Sequence, residues 1–158
     1  MLSICQAESR DDIETAHTLF VEYQAFLDID LSFQGFTAEL EQLPGDYAPP
    51  NGRLLLAFSE GIPVGCIALR PFHGSQCEMK RLFVRPMARG LSVGRGLISR
   101  VISDAQSIGC YSEMLLDTLP SMSEALHLYY SFGFRDILPY RSNPILEAKY
   151  LALNLALA

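Results

Sequence analysis

The chain has no Cys-x-x-Cys pair; its four cysteines (Cys5, Cys66, Cys77 and Cys110) are isolated, each in or beside an apolar stretch. Buried free thiols are therefore expected, and neither a zinc site nor a disulfide framework. His17, His73 and His127 are equally scattered, so no metal ligation is expected. No apolar run approaches a membrane span, and the Leu-Ala-rich stretch from Leu151 to Ala158 reads as a strand and its tail. No basic-then-apolar leader follows Met1, which makes the cytoplasm the expected compartment. Neither repeats nor low-complexity linkers interrupt the 158 residues. One domain over residues 1–158 is expected, long enough to bury about two-thirds of its unfolded surface. Two common phosphate-binding signatures, Gly-x-x-x-x-Gly-Lys-Ser/Thr and Gly-x-Gly-x-x-Gly, are also missing, which disfavours P-loop and dinucleotide-binding modules.

Acidic residues are missing from one stretch in particular. Between Met79 and Ser103 stand six bases (Lys80, Arg81, Arg85, Arg89, Arg95 and Arg100) and no acid, in a chain of net charge −6. Residues 1–52 carry ten acids and one base, whereas residues 53–158 carry eight acids and 11 bases. Inside the basic stretch a β-like run from Met79 to Val84 stops at Pro86, and a turn holding Gly90, Gly94 and Gly96 follows. Leu97, Ile98, Val101, Ile102, Ala105 and Ile108 then recur with the spacing of an amphipathic helix. Such a strand, turn and helix start expose backbone N–H groups at the positive end of a helix dipole, a site for phosphate oxygens. The surrounding bases suit a ligand with several phosphates. Six bases in an acidic protein without an aromatic platform do not suit nucleic acid, which is not expected as a partner.

The remaining elements follow from periodicity and punctuation. Leu2 to Ala7 reads as a strand and Ser9 to Leu27 as a helix capped by Ser9, with Ile13, Ala16, Leu19, Phe20 and Tyr23 on its apolar stripe. Thr37 to Leu43 reads as a short helix capped by Thr37 and ended by Pro44-Gly45. Arg53 to Phe58 and Val64 to Arg70 form a hairpin by spacing, and Cys77 to Arg85 is the next strand. Glu113 to Asp117 reads as a strand, Met122 to Phe132 as a helix, and Ile145 to Leu155 as the last strand. In that last helix Ala125, Leu128, Tyr129 and Phe132 share a face, and Gly133 is placed to cap it and turn the chain into a strand. Tyr130 reads as a core aromatic with a polar tip.

Two segments in this order resemble the GNAT superfamily of acyl-CoA-dependent N-acyltransferases. Arg89-Gly90-Leu91-Ser92-Val93-Gly94 resembles its Arg/Gln-x-x-Gly-x-Gly/Ala pyrophosphate loop, with Ser92 where a glycine is usual. Ala125 to Phe134 resembles the Ala-x-x-Leu-Tyr-x-x-x-Gly-Phe signature that closes the same fold. The resemblance implies an α/β (α+β) fold, a mixed central sheet of about seven strands flanked by about four helices. It also implies a small, bacterial-type, single-domain N-acetyltransferase with acetyl-CoA as cosubstrate, no metal and a small amine as acceptor.

By the same resemblance, Tyr129 is the general acid that protonates the leaving thiolate. Main chain of Leu82, Phe83 and Val84 pairs with pantetheine, and Arg89, Gly90, Leu91, Ser92, Val93, Gly94 and Arg95 hold the pyrophosphate. At Ser92 either the Cβ crowds the phosphate or the hydroxyl donates to it. Met122 replaces the usual asparagine ahead of the closing helix, so Ser121 or Ser123 is left for that contact. Glu78 is the candidate general base, directly or through a water, unless it is an edge carboxylate paired to Lys80 or Arg81. The acceptor side falls in the acidic first third, which points to a cationic acceptor met by Asp28 and Asp30; the competing reading is that Asp11, Asp12 and Glu14 serve the helix N-terminus and the others serve solubility. A homodimer is one option for assembly, and a CoA-binding regulatory or sensor domain is the alternative function.

Overall fold

The computed structural model describes residues 1–28, 31, 35–143, 145 and 147–156. A strand β1 (Leu2–Gln6) leads into α1 (Arg10–Leu27), then α2 (Phe36–Gln42), β2 (Arg53–Ser59), β3 (Ile62–Pro71) and β4 (Gln76–Val84). These are followed by α3 (Val93–Ile108), β5 (Glu113–Thr118), α4 (Ser123–Ser131), β6 (Arg135–Asp136) and β7 (Lys149–Asn154). The strands form one mixed sheet in the order β1-β2-β3-β4-β5-β7-β6, parallel only between β4 and β5. The α/β class, the seven strands and the four helices agree with the sequence.

Local chemistry explains the boundaries. Ser9 caps α1 in a reciprocal box: its Oγ accepts from the Asp12 amide at 3.0 Å, and the Asp12 carboxylate accepts from the Ser9 amide at 3.2 Å. The second helix begins one residue earlier than its side chains suggest, because Gly35 and not Thr37 occupies the cap, in a left-handed conformation. The last strand is shorter than its apolar run, starting at Lys149 instead of Ile145.

Side chains alternate into two cores. Leu55, Ala57, Ile67 and Met79 pack with α3 and α4, and Leu54, Leu56, Cys66 and Phe83 pack with α1 and α2. A strand buried on both faces reads as a continuous apolar run, which is why Leu54-Leu55-Leu56-Ala57 does not alternate. Cys66 and Cys77 are buried free thiols as expected, whereas Cys5 and Cys110 are exposed. Tyr130 is also a correction: it is 42% exposed and donates to Asp136 at 2.6 Å. Among the described residues no helix is long and apolar enough to cross a membrane.

Two irregularities in β4 position the site. Cys66 lies opposite Phe83 but Ala68 opposite Lys80, so Arg81 and Leu82 together face one residue of β3. That is a bulge, and Arg81 takes a left-handed φ of 62° in it. Its buried guanidinium is fixed by Glu39 of α2 through two hydrogen bonds of 2.8 and 2.9 Å, which hold a conformation that L-residues disfavour. Secondly, β4 pairs with β5 only from Gln76 to Glu78. Beyond that point the strands diverge, and the β5-facing edge of β4 loses its ladder.

Candidate active site

The divergence of β4 and β5 opens the sheet, and two cavities that share lining residues lie beside the opening. The larger is a groove of about 750 Å³, within the ~300–1,000 Å³ usual for small-molecule sites. It is lined by Leu82, Phe83 and Val84 of β4, by Arg89, Gly90 and Ser92 of the turn, by Val93, Gly94 and Arg95 at the start of α3, and by Ser121, Met122 and Ser123 before and at the start of α4. Residues that the sequence assigned to one ligand are thus brought to one surface. Leu91 is the exception: it is 61% exposed and does not line the groove.

The turn is built to leave donors free. The first backbone bond of α3 runs from the Gly96 amide to the Ser92 carbonyl at 3.0 Å, and Ser92 contributes no side-chain cap. The amides of Gly90, Ser92, Val93, Gly94 and Arg95 therefore have no acceptor among the described residues. Uncapped amides at a helix start are an anion site. Ser92 itself holds a φ of 63°, the left-handed conformation that a glycine would take without strain. Gly94 is needed for a different reason: a Cβ there would stand 3.3 Å from Leu128 of α4 and face the groove. Arg89 lies 4.4 Å over the Phe26 ring and donates from Nε to the Val84 carbonyl at 3.1 Å. The α4 start is likewise uncapped, since Met122 makes no side-chain bond to it.

The smaller cavity shares Leu82 and Met122 with the groove and is bordered by Tyr23, Leu27, Lys80, Arg81, Asp117 and Tyr129. Tyr129 projects from α4, 5% exposed, with its ring 5.8 Å from Phe134. Burial pushes its phenol pKa well above the ordinary value, so the hydroxyl keeps its proton. Asp117, at the end of β5, has a buried Oδ2 without a hydrogen-bond partner among the described residues. Sequence reasoning left it without a role; the available signal was a lone carboxylate closing the apolar run Met114-Leu115-Leu116.

Glu78 is differently placed from a base that must accept a proton. It is fully buried, and its carboxylate accepts from Arg70 Nε at 3.0 Å, from Tyr140 at 2.7 Å and from Arg141, with Lys80 Nζ 4.0 Å away. Burial alone would raise its pKa, but Lys80, Arg141 and Arg70 outweigh that and hold it below the usual carboxylate range. Of the two pairings foreseen, Lys80 is present, while Arg81 is bound to Glu39. Asp28 is exposed, in a left-handed conformation at the C-terminus of α1, and borders neither cavity. Asp30 lies outside the described residues. Among those residues no cluster of His, Cys, Asp and Glu is arranged to hold a metal ion.

Residues 14–134 match the sequence profile of the acetyltransferase (GNAT) family. An uncharacterized N-acetyltransferase of Schizosaccharomyces pombe is 40% identical over 157 residues, covering 98% of this chain and 96% of that protein. An acetyltransferase of the GNAT family from Staphylococcus aureus superposes with a TM-score of 0.79 at 25% identity, over 98% of this chain and 99% of that one. The yncA protein of Salmonella typhimurium, solved with its cofactor acetyl-CoA, shares the fold at a TM-score of 0.69 and 20% identity, over 98% of this chain and 94% of its own. A sheet opened between β4 and β5, an uncapped turn beneath it and a match over most of the chain converge: the chain belongs to the GNAT family of acetyltransferases.

Proposed function

We propose that this chain, acting as a single domain, transfers an acetyl group from acetyl-CoA to the primary amine of a small acceptor. The observation that carries the reading is the opening between β4 and β5, where free backbone donors and a buried tyrosine meet. In this reading the amides of Gly90 and of Ser92 to Arg95 take the pyrophosphate oxygens, and Arg89 and Arg95 add charge. Leu82, Phe83 and Val84, beyond the bulge, offer main chain to the pantetheine arm and polarise the thioester carbonyl. Ser123 stands in for the asparagine that Met122 replaces. The same fold accommodates acetyl-CoA in the Salmonella protein, and bound acetyl-CoA would supply the activated acyl group.

What the protein adds is control of two protons. The buried Oδ2 of Asp117, without a hydrogen-bond partner among the described residues, suits the proton that leaves the amine. The Tyr129 hydroxyl, kept protonated by burial, suits the return of a proton to the departing sulfur. Glu78 we assign to organising Arg70, Arg141 and Lys80 rather than to accepting a proton. The charge split of the sequence supports a cationic acceptor less than its totals imply. Glu22 and Glu39 of the acidic third are engaged with Arg85 and Arg81 at 2.7 and 2.8 Å, and Asp117 is the carboxylate that borders the cavity and draws the acceptor ammonium.

Titration calorimetry with acetyl-CoA, followed by thiol release over a panel of amines, tests this. Saturable binding with amine-dependent thiol release is expected. Absence of binding overturns the reading, and binding without release for any amine points to a CoA-binding regulatory domain instead.

A further inference from the structure

The first helix, α1, holds the turn into α3 at two points, and it does so in two different ways. Arg85 opens the Pro86–Ala88 turn and Arg89 closes it. Glu22 of α1 grips the Arg85 guanidinium through hydrogen bonds of 2.9 and 2.7 Å. One helical turn further along α1 stands Phe26, and Arg89 lies 4.4 Å over its ring. A carboxylate at short range neutralises Arg85. An aromatic face orients Arg89 and leaves its charge and its N–H donors available.

Arg89 is thus fixed without being spent. Its Nε donates to the Val84 carbonyl at 3.1 Å, and among the described residues its Nη groups meet neither an acceptor nor a carboxylate. It lines the same groove as Gly90, Ser92, Val93, Gly94 and Arg95, whose amides stand free. The C-terminal end of α1, which has no base of its own in the last turn, favours a cation beside it. Phe26 has the exposure of a groove residue and not of a core one: it is large and apolar, 45% exposed, and lines the groove with Arg89. Its ring is backed by Phe83 at 6.1 Å, and Phe83 by Tyr23 at 6.3 Å, a row of packed rings that limits its rotation. A guanidinium held before the ligand arrives loses less side-chain freedom on binding.

We propose that Phe26 is a positioning residue for the cosubstrate, holding the Arg89 guanidinium as a preformed clamp for the pyrophosphate; this rests on the acetyl-CoA reading above. Titration calorimetry with acetyl-CoA tests it on variants whose melting temperatures are measured alongside. Phe26→Leu keeps apolar volume and loses the π face, and affinity is expected to fall by roughly 3–10-fold. Phe26→Trp, which offers the strongest face, matches or exceeds the wild type. Phe26→Glu neutralises Arg89 as Glu22 does Arg85 and binds more weakly than Phe26→Leu. In an Arg89→Ala background the Phe26→Leu loss disappears, because the two side chains act as one unit. Unchanged affinity in a normally melting Phe26→Leu, or an equal loss with and without Arg89, overturns the positioning role. Should Phe26→Leu melt early, the ranking of Trp, Phe and Glu at this position and its dependence on Arg89 decide in its place. A wild type that does not bind acetyl-CoA overturns the acetyl-CoA reading and the clamp with it, whereas a wild type that binds while Phe26 and Arg89 contribute independently overturns the clamp alone.

Discussion

Tyr129 and Asp117 border one cavity, and the opposite tasks proposed for them there are separated by single-atom changes. Tyr129→Phe removes only the phenolic proton; kcat is expected to fall by roughly 10²–10⁴ with acetyl-CoA affinity unchanged by calorimetry. Asp117→Asn keeps the shape and loses the proton acceptor, so a comparable fall is expected in kcat/KM for amine-dependent thiol release, with acetyl-CoA affinity unchanged by calorimetry. Tyr129 was legible in the sequence because helical spacing, a glycine cap and the Leu-Tyr pattern agree on it. Asp117 was not, because a carboxylate ending a strand is ordinary; what distinguishes it is the lack of a hydrogen-bond partner for Oδ2 among the described residues, which depends on where β4 and the segment around Tyr140 pack. The same holds for Glu78, whose ligands Arg70 and Tyr140 lie 8 and 62 residues away in the chain.

At the scale of elements, the strand, turn and uncapped helix start at α3 were readable, since proline, glycines and a helical stripe mark them without tertiary information; their role as an anion site is part of the proposed function. The detail of the turn was not, because a serine gives no local signal of the left-handed φ that Ser92 takes at the α3 cap. Ser92→Gly exchanges a strained L-residue for glycine. Relief of about 1–2 kcal/mol against a greater unfolded-state entropy of ~0.4–1 kcal/mol leaves a small net gain in stability, measurable by denaturant unfolding. Acetyl-CoA affinity then reports the hydroxyl: a loss of about 1 kcal/mol means that it donates to phosphate. Gly94→Val forces a branched side chain against Leu128 and into the groove, and binding of acetyl-CoA is expected to be lost while the sheet persists by circular dichroism. Element order was recovered from periodicity, but Gly35 at the α2 cap and the late start of β7 were not, since neither position carries a side-chain signal.

Across the whole molecule, the lopsided charge of the sequence is largely a tie between layers. Glu22 of α1 reaches Arg85, and Glu39 of α2 reaches Arg81 inside the bulge; composition reveals the imbalance but not this pairing. Glu78 supplies the counter-charge for the buried cluster. Glu78→Gln leaves Arg70, Arg141 and Lys80 short of a carboxylate, and a loss of about 3–5 kcal/mol in denaturant unfolding is expected. The sign with pH is fixed by its depressed pKa. That stability is present above the unfolded glutamate value of about 4.3 and is lost as pH falls through the lower folded value. Unfolding of the wild type should therefore steepen below about pH 4, and the glutamine variant should lose less on the same descent.

The sheet can be viewed as two panels, β1 to β4 and β5-β7-β6, joined by three residue pairs at Gln76–Glu78 and Glu113–Leu115. The bulge and the turn into α3 belong to one panel; Asp117 and, through α4, Tyr129 belong to the other. A molecule lying in the gap therefore bridges the panels like a splint across a joint. Amide exchange in Met79–Val84 and Leu116–Thr118 should slow together on adding acetyl-CoA, although these segments share no ladder bonds with each other. Protection confined to one panel would mean that the gap is spanned from elsewhere.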